Sequence, residues 1–279
     1  EAYHTRYKRP VKDYVIASLE ALAPIMAVAP GLFNALQSIP PMPWIFKRLI
    51  GLTDLPKLDR KGLKSALRKR GIARFRQADL DALTSAQKAK AVIIVQDCFT
   101  THYDTNVLLA HVDLLQTLGY QVFVPPYRAN GKAMHVKGFL KKFDYQAQQN
   151  DIVYGKIAAS GIAMVGIEAS VTLTYRQEYA QRLSDRPDYR VHLFHEWLST
   201  EIDEGRVTPP KMDNAVNINT PASLFPHCTE KTSIPDVGVK WQNIFAAFGL
   251  TLTTEKTGCC GMAGVYGHET RHQETSREL

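Results

Sequence analysis

The sequence predicts an α/β protein: two pseudo-symmetric Rossmann-like lobes with parallel sheets, preceded by an α-helical N-terminal region. Three observations lead there. Short apolar runs alternate with helical patterns from Ala91 onward. The spacing of those elements recurs later in the chain, and the residues before them are helical in texture and broken by prolines. The 279 residues are 45% hydrophobic and 22% charged. Such a chain buries a core without staples, which excludes a disordered chain, a collagen and a disulfide miniprotein. Its four cysteines, Cys98, Cys228, Cys259 and Cys260, are too sparse for a secreted scaffold.

Residues 1–88 form the first unit, a helical region with a basic linker. Glu1 to Pro10 is polar and has no apolar core of a signal peptide. Tyr14 to Leu36 is the most apolar stretch, with Glu20 as its single charge. Pro24 and Pro30 divide it into two short packed or interfacial helices rather than one span. Ile39 to Trp44 holds Pro40, Pro41 and Pro43 and cannot be helix interior. Helical spacing resumes from Leu58 to Leu67. Lys57 to Arg76 carries nine basic residues against Asp59 alone, so the net charge of +7 belongs to one short stretch and the remainder is near neutral. A solvated helix face explains it, and nucleic acid is not expected as a partner. Docking to an acidic partner, or peripheral contact of Lys57–Arg76 with anionic lipid, stays open. The location expected is cytoplasmic, with any membrane association on the cytoplasmic face.

Ala91–Val95 is wholly apolar, as a buried parallel strand is. A helical pattern from Asp104 to Leu118 ends at Gly119, and a second strand, Gln121–Val124, stops at Pro125. Helices are expected over Lys132–Ser160, a third strand over Ile162–Ile167, and a helix over Val171–Leu183. His195, Glu196 and Trp197 lie on a helical pattern as packing and surface residues. Cys98 and Gly119 are 21 residues apart, as are Cys228 and Gly249. A strand near Ala215–Asn219 and another over Leu250–Thr253 complete the match. The first repeat therefore spans 89–205 and the second 206–279.

The repeat places the cysteines on loops at the carboxyl ends of strands, where open α/β sheets bind ligands. Cys259 and Cys260 are adjacent, so each faces an external partner more readily than the other. Gly258, Gly261 and Gly264 allow tight backbone around a bulky group. With Cys228, three thiolates would converge, which suits an iron–sulfur cluster or zinc. Cys98 has no cysteine partner in its own repeat, and a packing role is as plausible for it as a cofactor role.

Cys228 followed by Cys259-Cys260-Gly261 resembles the cysteine-rich CCG domain found in heterodisulfide reductases and in the iron–sulfur component of glycolate oxidase. Pro126 to Lys132, Tyr175 to Tyr179 and Gly258 to Gly264 resemble the C-terminal region of bacterial FAD and iron–sulfur D-2-hydroxy-acid dehydrogenases, of the D-2-hydroxyglutarate or D-lactate type. The resemblance implies an electron-transfer module of an oxidoreductase. It implies a 4Fe–4S cluster on Cys228, Cys259 and Cys260, with Cys98 as a further cofactor-binding residue. It also implies FAD on a linked oxidase domain, a ferredoxin-like segment in the same parent chain, and an external electron acceptor. The first repeat has Asn130-Gly131 in place of Cys-Cys, and the second ends before the family's last Cys-x-x-Cys. The cluster is therefore expected to be incomplete or absent here, with a Cys228–Cys259 or Cys228–Cys260 disulfide feasible and no catalytic residue on this piece. A non-catalytic docking module or a zinc or thiol site are the alternatives.

His268-Glu269-Thr270-Arg271-His272 matches the helical zinc-protease pattern. It follows directly on the Cys-Cys-Gly element and lacks a further glycine-spaced histidine, so a helix lining the cluster loop is the expectation. No Gly-x-Gly-x-x-Gly, P-loop or Gly-x-Ser-x-Gly occurs, so no nucleotide or flavin is expected on this piece.

Overall fold

The computed structural model describes residues 2–210, 222–262 and 264–279. A four-stranded parallel sheet lies at its centre, in the order β2-β1-β3-β4, from Gln121–Phe123 (β2), Ala91–Val95 (β1), Ala163–Gly166 (β3) and Val191–Leu193 (β4). Every residue of β1 is buried because the strand alternates between two cores. Val92 and Ile94 join Leu108, Val112 and Leu115 on one face, while Ala91, Ile93 and Val95 join Phe143, Tyr154 and Ile157 on the other. Helices thus cover both faces of the sheet. Strand β4 is not foreseen by the sequence pattern. Its three residues follow the charged Asp188 and Arg190, too short a run to stand out.

Strands β5 (Ala222–Leu224) and β6 (Leu252–Thr254) form a separate two-stranded parallel sheet. Between them run helices Cys228–Ser233 and Val237–Ala247, as Cys98–His102 and Thr105–Thr117 run between β1 and β2. The local order of strand, short helix, longer helix and parallel strand therefore recurs. Only two strands are found in the second lobe among the described residues, so the structure is mixed α/β and a pair of matched Rossmann lobes is not seen. The strand expected near Ala215–Asn219 lies outside the described residues. The β5–β6 unit packs on the main lobe through Ile244 and Phe248, and through Ile234 and Val237 against Leu173 and Leu193.

Two expected helices take other forms. Val171–Leu183 is two helices, Ala169–Arg176 and Glu178–Arg182, divided at Gln177. Helix in the basic stretch runs over Leu63–Lys69 rather than from Leu58, whose backbone is tied instead to Asn34.

Candidate metal and redox site

The two cysteine-bearing helices begin alike. Cys98 opens its helix behind Asp97, whose carboxylate accepts from the N–H groups of Phe99 and Thr100 at 2.8 and 2.9 Å. Cys228 opens its helix behind His227, whose Nδ1 accepts from the Thr229 N–H at 3.3 Å. Similar backbone then meets different surroundings. Cys98 is buried and Cys228 is exposed.

Strands β5 and β6 are parallel, with Leu224 opposite Thr254. The Cys228 and Cys259-Cys260 segments therefore leave the same edge of this small sheet. Lys231 Nζ, on the Cys228 helix, donates to the Thr257 carbonyl at 2.9 Å and ties that helix to the second segment. Cys259 Sγ accepts from the Gly261 N–H at 3.4 Å. Gly261 has φ +74°, and a Cβ there would fall 2.3 Å from the Ser276 carbonyl oxygen, so the Cys-Cys-Gly turn packs directly on the C-terminal helix Gln273–Glu278. Cys259 and Cys260 are both exposed, and all four cysteines are free thiols with no disulfide. The donor chemistry of Cys228, Cys259 and Cys260 suits a soft metal or cluster. Among the described residues, however, no three His, Cys, Asp or Glu side chains are grouped so as to hold a metal ion.

In the first repeat the corresponding place is filled from within. Gly131, like Gly261, has positive φ. Glu20, from the helix Leu19–Met26, accepts from the Gly131 and Ala133 N–H groups at 2.7 and 3.2 Å. The Tyr127 hydroxyl donates to the Glu20 carbonyl at 2.9 Å and stands in hydrogen-bond contact with Cys98. Burial pushes the Cys98 thiol up to about 12, with Glu20 and Asp97 adding to the shift. Burial thus favours the neutral thiol over the thiolate. Burial also raises the Glu20 carboxyl, against the backbone N–H groups that favour its ionised form. The signal for Glu20 was its being the one charge in an apolar run.

His268 to His272 is not a helix. Two short 3-10 turns, Tyr266–His268 and Thr270–His272, flank Glu269, which is extended and bridges to Leu52. The i, i+4 face that a zinc-binding pair needs is therefore never formed. Glu269 instead pairs with Lys12, with Lys137 at 2.6 Å and with Arg271 at 3.4 Å. Burial alone would raise its carboxyl, but the two lysines hold it down at about 2. His195 is buried, as its helical pattern suggests, but it also has a partner that the pattern does not foretell. Its Nδ1 lies 3.0 Å from Glu230 Oε1 and joins the main lobe to the Cys228 helix.

The chain is 39% identical over 280 residues to D-2-hydroxyglutarate dehydrogenase of Haemophilus influenzae and 39% over 279 residues to that of Pseudomonas putida. These alignments cover 99% and 100% of this chain but 27% of each relative, so the chain spans about a quarter of the curated relatives it matches. One subunit of the anaerobic glycerol-3-phosphate dehydrogenase of Escherichia coli is 26% identical over 204 residues, covering 71% of this chain and 50% of that protein. No family model and no solved structure matches.

Proposed function

Because this chain is homologous along its whole length to one part of the bacterial D-2-hydroxyglutarate dehydrogenases, we propose that it is the electron-transfer module of a larger FAD-linked oxidoreductase acting on a D-2-hydroxy acid, D-2-hydroxyglutarate or D-lactate. One observation in the fold carries the reading. Exposed thiols at Cys228, Cys259 and Cys260 leave the carboxyl-terminal edge of one parallel strand pair, where α/β sheets place ligands. These three residues would hold a 4Fe–4S cluster, which when bound accepts and passes on single electrons. The fit is one of donor chemistry. The thiols are not pre-gathered, and binding requires the two segments to close on the group.

The chain's own residues have separable tasks. Lys231 positions the Cys228 helix against the second segment. The Gly261 N–H supplies a hydrogen bond to sulfur, and such bonds tune a cluster's potential. We take Cys98 out of the ligand set, because it is held as a buried thiol and Glu20 occupies the backbone N–H groups beside it. Flavin and a ferredoxin-like segment belong to the rest of the parent chain in this reading, and the acceptor lies outside it. Residues 1–88, 89–205 and 206–279 serve as helical platform, cluster-free repeat and cluster-bearing repeat. Free thiols suit a reducing cytoplasm.

The test is anaerobic purification of the full-length parent with iron and sulfide analysis. Cys259→Ser and Cys260→Ser should each lower the iron content and slow electron delivery to an external acceptor at least tenfold, while flavin reduction by substrate persists. Zinc in place of iron and sulfide, or unchanged iron and turnover in both variants, refutes the assignment in favour of a zinc site or a docking module.

A further inference from the structure

The helices Leu19–Met26 and Pro30–Ser38 are built inside out. A helix on a globular surface turns its apolar stripe inward and its polar residues to water. Here Glu20 and Asn34 are buried, together with Ala23, while Leu22, Ile25, Leu32 and Leu36 are exposed. The inward polar groups are fully used. Glu20 is bound by Gly131 and Ala133, and Asn34 exchanges two hydrogen bonds with Leu58, at 2.7 and 2.9 Å. They clamp the pair to the body and leave the apolar side outermost.

The exposed side is extensive. Twelve of the nineteen large apolar side chains exposed among the described residues lie between Tyr3 and Leu49. Ile25, Val28 and Leu32, around the bend joining the two helices, are 68, 84 and 65% exposed. From Ala21 to Phe46 no acidic or basic residue occurs. Together the helices have the length and apolarity of a membrane segment, but they are bent by 112°, and no single helix among the described residues is long and apolar enough to cross a bilayer. Such a pair suits entry into one leaflet rather than a crossing.

Charge selects the occupant. Exposed Trp44, Lys47 and Arg48 close the uncharged stretch, and an aromatic followed by cations suits a headgroup boundary. Lys57, Arg60 and Lys61 line a cleft with Asn34 and Ser38 and so stand beside the second helix. The ridge is uncharged and the cations stand beside it, an arrangement that lets the apolar side chains enter the acyl boundary while the cations meet anionic headgroups. We propose that the ridge from Leu22 to Leu36 inserts into the headgroup and acyl boundary of an anionic lipid bilayer, with Lys47, Arg48 and the Lys57–Lys61 cations on the headgroups. The basic stretch read from the sequence then acts as the rim of the contact and the apolar ridge as its centre. This does not depend on the cluster reading.

The experiment uses the full-length parent with vesicles of phosphatidylcholine and phosphatidylglycerol in a 3:1 ratio, and with pure phosphatidylcholine. The protein should sediment with the first and at least tenfold less with the second. The triple variant Ile25→Asp, Val28→Asp, Leu32→Asp should lose at least tenfold in apparent partitioning while keeping its flavin content and turnover with a soluble dye acceptor. Peptide mapping after maleimide labelling should find the Val28→Cys thiol reactive without vesicles and protected with the anionic ones. Three results would overturn the proposal: full-length protein left in the supernatant with anionic vesicles, a triple variant that binds like the parent, or a Val28→Cys thiol already protected without lipid. The last would mean that the remainder of the parent chain covers the ridge. Iron content plays no part in these readouts, so failure here leaves the cluster assignment standing.

Discussion

Gly261 and Gly264 both adopt positive φ, at +74° and +70°, yet they differ in what a side chain would meet. A methyl group at Gly261 would overlap the Ser276 carbonyl, while one at Gly264 would meet nothing within 4 Å. Gly264→Ala should therefore cost only the left-handed backbone penalty, about 1–2 kcal/mol. Gly261→Ala should add an overlap cost of about 1–3 kcal/mol, read as a larger fall in the urea midpoint. The cysteines separate in the same way. At pH 7.5 an alkylating reagent should modify Cys228, Cys259 and Cys260 promptly and Cys98 only after unfolding, because Cys98 is buried and its thiol value is about 12. Rapid alkylation of Cys98 in the folded chain would contradict the filled first-repeat site. The cysteine positions and their flanking glycines were legible in the sequence. The burial of one and exposure of three was not, since it depends on Glu20 and Tyr127 arriving from distant segments.

Among the elements, β1 was the easiest to read and remains the most deeply buried, because a strand covered on both faces must be apolar throughout. Ile93→Ala should destabilise the chain by about 2–5 kcal/mol in denaturant unfolding, as expected for a fully buried aliphatic side chain with little freedom to collapse. Short β4 escaped because three residues give no periodicity to detect. The run from His268 to His272 misled in the opposite sense. Its spacing is helical, but the buried pairing of Glu269 with Lys12 and Lys137 holds the backbone extended there. Tertiary contacts outweigh local propensity where a turn contributes only tenths of a kcal/mol.

At the scale of the whole molecule, Glu269 joins three distant segments: the helix Val11–Ala17 through Lys12, the stretch after β2 through Lys137, and the C-terminal tail. Its folded value of about 2 lies below the usual 4.5, so the ionised carboxylate favours the folded chain. That contribution is complete above about pH 4.5 and fades as the pH falls towards 2. Glu269→Gln should accordingly flatten the fall of stability between pH 4.5 and 2, measured by urea unfolding across that range, and lower stability at pH 7. An unchanged acid slope would remove Glu269 as the clasp. The sequence by itself determined the α/β class, the strand-helix-strand repeat and the cysteine positions, because periodicity and spacing are local properties of the chain. Tertiary structure alone decided that Glu20 fills the first repeat's turn, that Glu269 is a clasp, and that the N-terminal helices turn their apolar side outward. Each depends on which distant groups meet a buried carboxylate or amide, backbone groups for Glu20 and Asn34 and lysine side chains for Glu269, and leaving such a polar group unpaired in the interior is costly.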